Sequence, residues 1–299
     1  MNVVRACIIF NPAAKGDKAR QFRRHLDSLG SLCSLKPTTA PGAAWPLAAE
    51  ASREGFDVVV AAGGDGTVNE VLNGIGDDAD NFFRVNLGVL PLGTINVFAR
   101  DLGLPLDWRR AWETIRKGRV SVIDLPQVEF TKNGALQRRY FAQLAGAGLD
   151  AHAVELVNWN LKKRIGFFAY VVAALKALCA GQSQISTDGV LHPATGEQVL
   201  IGNGRLYGGP FVVFPGAKLS DGLLDVCVFP RASWGTLFAC VWGLVRGRLH
   251  KSGGAYHFQA ESFALTSPTR TLLELDGELV GELPARFSVQ RQLLRVIAP

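Results

Sequence analysis

Five apolar residues, Val58-Val59-Val60-Ala61-Ala62, run without polar alternation into Gly63-Gly64-Asp65-Gly66-Thr67. A β-branched run of this kind, stopped by glycine, predicts a strand covered on both faces, as in a parallel sheet layered by helices. The next residues predict a helix, with Thr67 as N-cap, Glu70 three residues on as in a capping box, and Val68, Val71, Leu72 and Ile75 as its apolar face. Gly63, Gly64 and Gly66 let the chain turn sharply and come close to a ligand, and a helix start aims main-chain N–H groups at the same place. A glycine turn alone is also just a tight connection. Asp65 alters the expectation: a carboxylate beside a phosphate calls for a cation between them, so the stretch predicts a metal-nucleotide site.

The flanking sequence repeats this grammar. Val3 to Phe10 predicts a strand ended by Asn11-Pro12, because the residue before proline is pushed out of the helical region. Ala19, Phe22, Leu26 and Leu29 predict one helix from Asp17 to Gly30, Leu32 to Leu35 a strand, and Ala43 to Arg53 a helix. Asn86 to Leu90 predicts a fourth strand, followed by Pro91-Leu92-Gly93-Thr94 and a short helix from Ile95 to Asp101; another helix follows over Trp108 to Arg116. This βαβαβα order implies a parallel sheet layered by helices. Ligands of such sheets sit beyond the carboxyl ends of the strands, so Asn11 to Gly16, Gly63 to Thr67 and Gly93 to Asn96 are expected to converge. Val120 to Leu125 predicts a strand ending at Asp124.

After Pro126 the texture changes to short alternating segments punctuated by glycine, among them Val199 to Asn203, Phe211 to Phe214, Leu224 to Phe229, Ser262 to Thr266 and Thr271 to Leu275. They predict a second, β-rich domain. The expected boundary lies at 127/128. Two apolar helices are expected in the second domain. Ile165 to Ala180 contains Lys176 and is shorter than the roughly 20 residues a membrane span needs. Trp234 to Leu249 places Trp234, Phe238, Val241, Val245 and Leu249 on one face and ends in Arg246, Arg248, His250 and Lys251. A core-packed helix with a basic end suited to its dipole is preferred there over a membrane-facing one.

Composition narrows the function. The 299 residues are 48% hydrophobic with a net charge of +6, enough for a real core and a mild bias toward anionic partners. No basic block interleaves with aromatics, so nucleic acid is not an expected partner, and an anionic membrane surface ranks above it. Cys7, Cys33, Cys179, Cys227 and Cys240 are odd in number and mostly set in apolar runs, which reads as reduced core thiols of a cytoplasmic protein. The opening MNVVRACIIFNP reads as a first strand rather than a signal peptide. Gly146-Ala147-Gly148-Leu149-Asp150-Ala151 fits GxGxxA without the preceding buried strand, and no GxxxxGK[ST] occurs, so neither an ordinary dinucleotide fingerprint nor a P-loop is expected. No histidine spacing or GxSxG supports a zinc or nucleophile-elbow hydrolase.

In combination, several segments resemble the diacylglycerol kinase catalytic-domain family, in its bacterial lipid kinase branch, related to sphingosine and ceramide kinases and more distantly to NAD kinases. They are Asn11-Pro12, GGDGTVNEV over 63–71, LPLGTINVFARDLGLP over 90–105, Asp124, GLDA over 148–151, IGNGRLYGGPFVVFPGAKLSDGLLDV over 201–226, and LDGE over 275–278. The resemblance implies an α/β nucleotide domain with a layered parallel sheet and a C-terminal β-sandwich, the nucleotide lying in the crevice between them, and a C-terminal strand that returns to the first domain, so that 1–127 with 288–299 forms the first domain and 128–287 the second. It implies ATP-dependent phosphorylation of a lipid hydroxyl at a peripheral membrane surface. Gly63, Gly64, Asp65, Gly66, Thr67, Val68, Asn69, Glu70, Thr38, Thr94 and Asn96 would contact ATP, with Asn11 and Lys15 near its phosphates. Lys218 and Leu223 carbonyls with the Asp221 carboxylate would form a structural magnesium site, although Asp221-Gly222 alone reads as a hairpin turn. Asp65 and Asp124 would hold a catalytic Mg2+ through water. Glu278 is the first choice for the base that takes the hydroxyl proton, and Asp276 the second.

One position departs from the family pattern: NDFA is replaced by Asn96-Val97-Phe98-Ala99, which removes a carboxylate beside the nucleotide. That difference keeps open a lipid-binding protein of the same fold without turnover, and a soluble-substrate kinase of NAD kinase type stays as a further alternative. The acceptor lipid is not legible in the sequence, and a homodimer is left open.

Overall fold

The computed structural model describes residues 5–149, 151–152, 183–246 and 254–299. The helix expected over 165–180, with Phe167 and Lys176, lies outside the described residues, as do Asp150, Cys179, Arg248, His250 and Lys251. The chain divides into two units, Met1–Leu125 with Arg291–Pro299, and Pro126–Gln290.

The first unit alternates β1 (Ala6–Phe10), α1 (Asp17–Arg23), α2 (Leu26–Gly30), β2 (Ser34–Pro37), α3 (Ala44–Arg53), β3 (Val58–Gly63), α4 (Asp65–Ile75), β4 (Asn86–Pro91), α5 (Val97–Asp101) and α6 (Trp108–Lys117). Its strands lie in the order β2-β1-β3-β4, all parallel, with Cys7 beside Ser34 and Val59, and Val59 beside Leu87. Every residue from Val58 to Ala62 is buried, as the unbroken apolar run requires. One core gathers Ile8, Phe10, Phe22, Val58, Val60, Leu90, Trp108 and Ile115, with Phe22 edge-on to both Phe10 and Trp108 at 5.8 and 5.5 Å between centroids.

The helices α3 and α4 touch backbone to side chain at Gly74, where an added Cβ would collide with the Trp45 carbonyl oxygen and with Ala48. Backbone cannot retreat as a flexible side chain can. Gly74→Ala therefore costs about 3 kcal/mol of stability, checked by denaturant unfolding of the variant against the wild type.

In the second unit, β5 (Val120–Lys132) enters from the first unit and turns at Asn133-Gly134 into β6 (Ala135–Tyr140). Both turn residues have positive φ, 53° and 78°, the conformation that a two-residue type I′ hairpin demands. There follow β7 (Leu144–Gly148), β8 (Ile185–Asp188), β9 (Thr195–Gly196), β10 (Gln198–Gly202), β11 (Leu206–Tyr207), β12 (Phe211–Val212), β13 (Leu224–Phe229), α7 (Trp234–Val245), β14 (Tyr256–Ala260), β15 (Ser262–Thr266), β16 (Leu272–Leu275) and β17 (Glu278–Ile297). The order β14-β13-β10-β7-β16-β17 is antiparallel throughout, and β15 pairs with both β17 and β8. Alternate residues of β13 serve two cores. Leu224, Val226 and Val228 join Phe130, Phe141, Phe263 and Phe287 on one face, while Cys227 and Phe229 join Leu144, Leu200 and Phe214 on the other. Covering both faces explains why β13 is apolar at nearly every position. The architecture is thus an α/β unit with a layered parallel sheet followed by a β-sandwich, as the sequence predicts.

Four expectations are corrected. The helix predicted from Asp17 to Gly30 breaks into α1 and α2, because His25 leaves helical geometry (φ −114°, ψ 8°) while packing on Trp108. The strand predicted to end at Asp124 runs on through Pro126 to Lys132, so Asp124 lies within β5 rather than at its end. The capping box at Thr67 and Glu70 does not form: α4 starts two residues earlier, at Asp65, with extended Gly64 before it. The face predicted for the helix at Trp234 is not core-packed at its two described side chains: Trp234 and Phe238 are 61% and 75% exposed, and Trp242, which the prediction did not place on that face, is 53% exposed. The four described cysteines are unpaired thiols, and burial pushes Cys7 and Cys33 up to about 11 and Cys227 and Cys240 to about 12. They are neutral at neutral pH, which lowers their reactivity.

Candidate active site

The turn after β3 is tightly built. A Cβ on Gly63 would meet the Thr67 side chain, with Thr67 Cβ only 2.5 Å away, so Thr67 folds back over the strand end instead of capping the helix. The helix α4 starts directly after the last residues of β3, and the first N–H groups of a helix are not used by its own ladder. Residues 63–67 are all half-buried, which leaves the main chain approachable there.

The turn after β4 presses against the first. Leu92 and Gly93 both donate their N–H to the Gly63 carbonyl, at 2.9 and 3.1 Å. A Cβ on Gly93 would lie 2.5 Å from Gly64 Cα and 2.7 Å from Asn96 Oδ1, so glycine is required for the two chains to approach. Asn96 stands in the left-handed region (φ 53°), buried, its side-chain amide donating to the Gly93 carbonyl at 2.7 Å. Asp65 joins the two turns: its Oδ1 accepts the Phe98 N–H of α5 at 3.2 Å. Two of the three loops expected to converge are therefore in contact.

The third loop follows β1, which lies next to β3 in the sheet. Asn11 closes a small turn by accepting the Ala13 N–H at 2.8 Å, and Lys15 beyond it is exposed. Thr38, past the end of β2, is tied to β1 by its N–H to the Phe10 carbonyl at 2.8 Å. Val68 and Asn69 are buried in the first turn of α4, where Asn73 donates to the Asn69 side chain at 3.1 Å. Glu70 is committed to the neighbouring helix: its carboxylate accepts the N–H groups of Gly42 and Ala44 at 3.0 and 2.9 Å. It caps α3, not its own helix. Thr94 is exposed.

Asp124 is 1% exposed and accepts the Gln292 N–H at 2.8 Å. Gln292 has φ 48° within β17, a conformation that β-strands avoid, so the carboxylate holds a local irregularity of that strand. Among the described residues no group of three or more His, Cys, Asp or Glu side chains converges as a metal chelate.

In the second unit, the acidic turn LDGE closes the hairpin between β16 and β17, with Leu275 opposite Glu278. Asp276 (φ 48°) and Gly277 (φ 85°) are its two left-handed residues, which makes the pair a type I′ turn. The Asp276 carboxylate is a structural clasp: Oδ2 accepts the Ala142 N–H at 2.8 Å, and Oδ1 accepts those of Gln143 and Leu144, both at 3.0 Å. Its own N–H donates to the Leu144 carbonyl at 2.8 Å. Buried Glu274 clamps the turn from below, accepting the Gly277 N–H at 2.8 Å. That residue escaped the sequence reading, although a glutamate within Leu272-Leu273-Glu274-Leu275 was a visible interruption of an apolar run. Glu278 is exposed at the start of β17. Asp221 accepts the Leu223 N–H at 3.1 Å in the turn before β13, where Gly222 has φ 76°; Lys218 is exposed four residues before Gly222.

A strand-glycine-helix turn is locked to a second glycine turn, with an aspartate at the junction, at the end of a parallel α/β sheet. Residues 5–128 match the model of the diacylglycerol kinase catalytic domain, and residues 143–298 that of the YegS C-terminal NAD kinase beta sandwich-like domain. A diacylglycerol kinase of Bacillus subtilis is 32% identical over 99% of this chain and 96% of its own length. One of Staphylococcus saprophyticus is 31% identical over 99% and 95%. The fold is shared with a crystallised diacylglycerol kinase of Bacillus anthracis (21% identity, TM-score 0.70, 100% of this chain and 98% of that one). It is shared more distantly with yeast NADH kinase (10% identity, TM-score 0.56, covering 100% and 84%). The chain belongs to the diacylglycerol kinase family and is a phosphotransferase.

Proposed function

We propose that this protein transfers the γ-phosphate of ATP to the hydroxyl of a diacylglycerol-like lipid. The observation that carries the reading is the interlock of Gly64 with Gly93, which brings the start of α4 and the Asp65 carboxylate to one place. The N–H groups of that helix start and of the second turn bind the phosphates, with Asn11 and Lys15 from the loop after β1. Thr38, Gly63 to Glu70, Thr94 and Asn96 form the rest of the nucleotide contacts, Val68, Asn69, Glu70 and Asn96 by holding main chain in place. The oxygen-only donors present suit magnesium: Asp65 and Asp124 near the phosphates, and Asp221 with the Lys218 and Leu223 carbonyls in a turn of the second unit. With no three-carboxylate cluster among the described residues, Asp65 and Asp124 would meet the ion through its water shell. Bound there, magnesium neutralises charge on the phosphates. Glu278 accepts the proton of the lipid hydroxyl, and Asp276 positions it.

Transfer from labelled ATP onto diacylglycerol, phosphatidylglycerol, sphingoid and ceramide acceptors is the test, and absence of transfer to every lipid with magnesium present and nucleotide bound rejects the proposal. A second reading, a lipid-binding protein without turnover, is favoured by one feature: Val97 opens α5 beside the Asp65 contact where the family pattern has a carboxylate.

The two roles of Asp124 separate by substitution. Asp124→Asn keeps an oxygen for the Gln292 N–H, so stability changes by less than about 1 kcal/mol. Losing the charge that faces magnesium nonetheless raises the Mg2+ concentration needed for half-maximal rate, measured by titrating the ion at saturating nucleotide.

A further inference from the structure

The helix α7 presents to solvent what most helices bury. Trp234, Phe238 and Trp242 follow one another at four-residue spacing, which places them on one face, and all three are exposed. The other side of the helix is occupied: Cys240 packs on the cluster of Leu144, Leu200, Phe214 and Phe229, and Gly243 is buried. Ser233 caps the start, its Oγ accepting the Thr236 N–H at 3.1 Å, so the element is a properly begun helix and not a frayed segment. Basic groups bracket the stripe. Arg231 precedes it and is exposed, and the exposed Arg246 lays its guanidinium over the Trp242 ring, 4.3 Å from the centroid.

We propose that α7 is a membrane-docking element whose aromatic stripe enters the headgroup region of an anionic bilayer. Tryptophan favours the membrane–water boundary, phenylalanine beside it serves on the apolar face of interfacial helices, and α7 carries no charged residue between the flanking arginines, so its outward stripe meets an apolar layer without desolvating a charge. At 12 residues it is too short to cross, since a span takes roughly 20. The charge is complementary to anionic lipid: Arg231 and Arg246 flank the stripe, and the whole chain carries +6. A guanidinium resting on an indole stays close to the apolar layer while it meets a lipid phosphate. The inference deepens the proposed function, on which it rests, by naming the surface from which the lipid acceptor is drawn.

The full chain is sedimented with vesicles of mixed phosphatidylglycerol and phosphatidylcholine, and with phosphatidylcholine alone. The expected result is tighter binding to the anionic vesicles, falling on the order of tenfold or more in the variant Trp234→Ser, Phe238→Ser, Trp242→Ser, whose thermal midpoint stays near that of the wild type. Arg231→Glu with Arg246→Glu removes most of the preference for anionic vesicles. Lipids brominated near the headgroup quench tryptophan emission of the wild type, and this quenching is lost in the serine variant. Wild-type-like sedimentation and quenching of the serine variant would overturn the proposal. So would a wild-type dimer that the same substitutions convert to a monomer, with vesicle binding unaltered, because the stripe would then face a second copy. Transfer to short-chain, vesicle-free forms of the diacylglycerol, phosphatidylglycerol, sphingoid and ceramide acceptors is measured alongside: if it is absent for all of them, with magnesium and nucleotide bound, while vesicle binding behaves as expected, the kinase reading fails and the docking surface stands.

Discussion

Glu278→Gln lowers turnover by about 10²- to 10⁴-fold, the usual contribution of a general base, while thermal stability and nucleotide affinity stay close to the wild type. The side chain is exposed at the first residue of β17, so its amide replacement perturbs no buried packing. The expected loss is in kcat at saturating lipid, because proton removal belongs to the transition state and not to binding. Steady-state transfer from labelled ATP, with the unfolding midpoint of the same preparation, checks both halves. Full activity of this variant would move the base elsewhere.

Asp276→Ala has a different signature, a loss of about 3 kcal/mol of folding stability. Its two carboxylate oxygens accept three main-chain N–H groups from residues 142–144, and each donor left without a partner costs about 1–3 kcal/mol if water does not replace it. Partial access of water at this half-buried turn keeps the total near the lower end of the sum. A second cost comes from the backbone, since alanine tolerates the left-handed conformation at φ 48° less well than aspartate does. Asp276→Asn keeps an acceptor oxygen and the turn preference, so it falls between wild type and alanine in denaturant midpoint. An asparagine variant as stable as the wild type but without turnover would instead make Asp276 the base.

These two variants bear on a choice that LDGE left open. Asp and Glu two residues apart offer the same chemistry, and their order of preference rested on a resemblance. Their settings differ: Asp276 is half-buried and bonded to the main chain of residues 142–144, and Glu278 is exposed at the head of β17. The turn reading of DG holds, and the type I′ geometry of Asp276-Gly277 sets Glu278 at the head of its strand.

Much of the fold was legible along the chain. Val58 to Ala62 had to be buried on both faces, and βαβ order had to make a parallel sheet, because both follow from local patterns of side chains. The same holds for the glycines at 63, 64 and 93, where the turn chemistry is written in the residue type. Partners distant in sequence were not legible. Glu70 looked like the cap of its own helix and caps α3, because the donors at Gly42 and Ala44 come near only when the helices pack. Asp124 looked like a strand-end ligand and lies within β5, bonded to a residue 168 positions on. Periodicity likewise put Trp234 and Phe238 on one face, with Val241, Val245 and Leu249 rather than Trp242, but not the direction of that face, since an amphipathic pattern says which residues share a face, and only tertiary packing decides whether that face meets the core or the solvent.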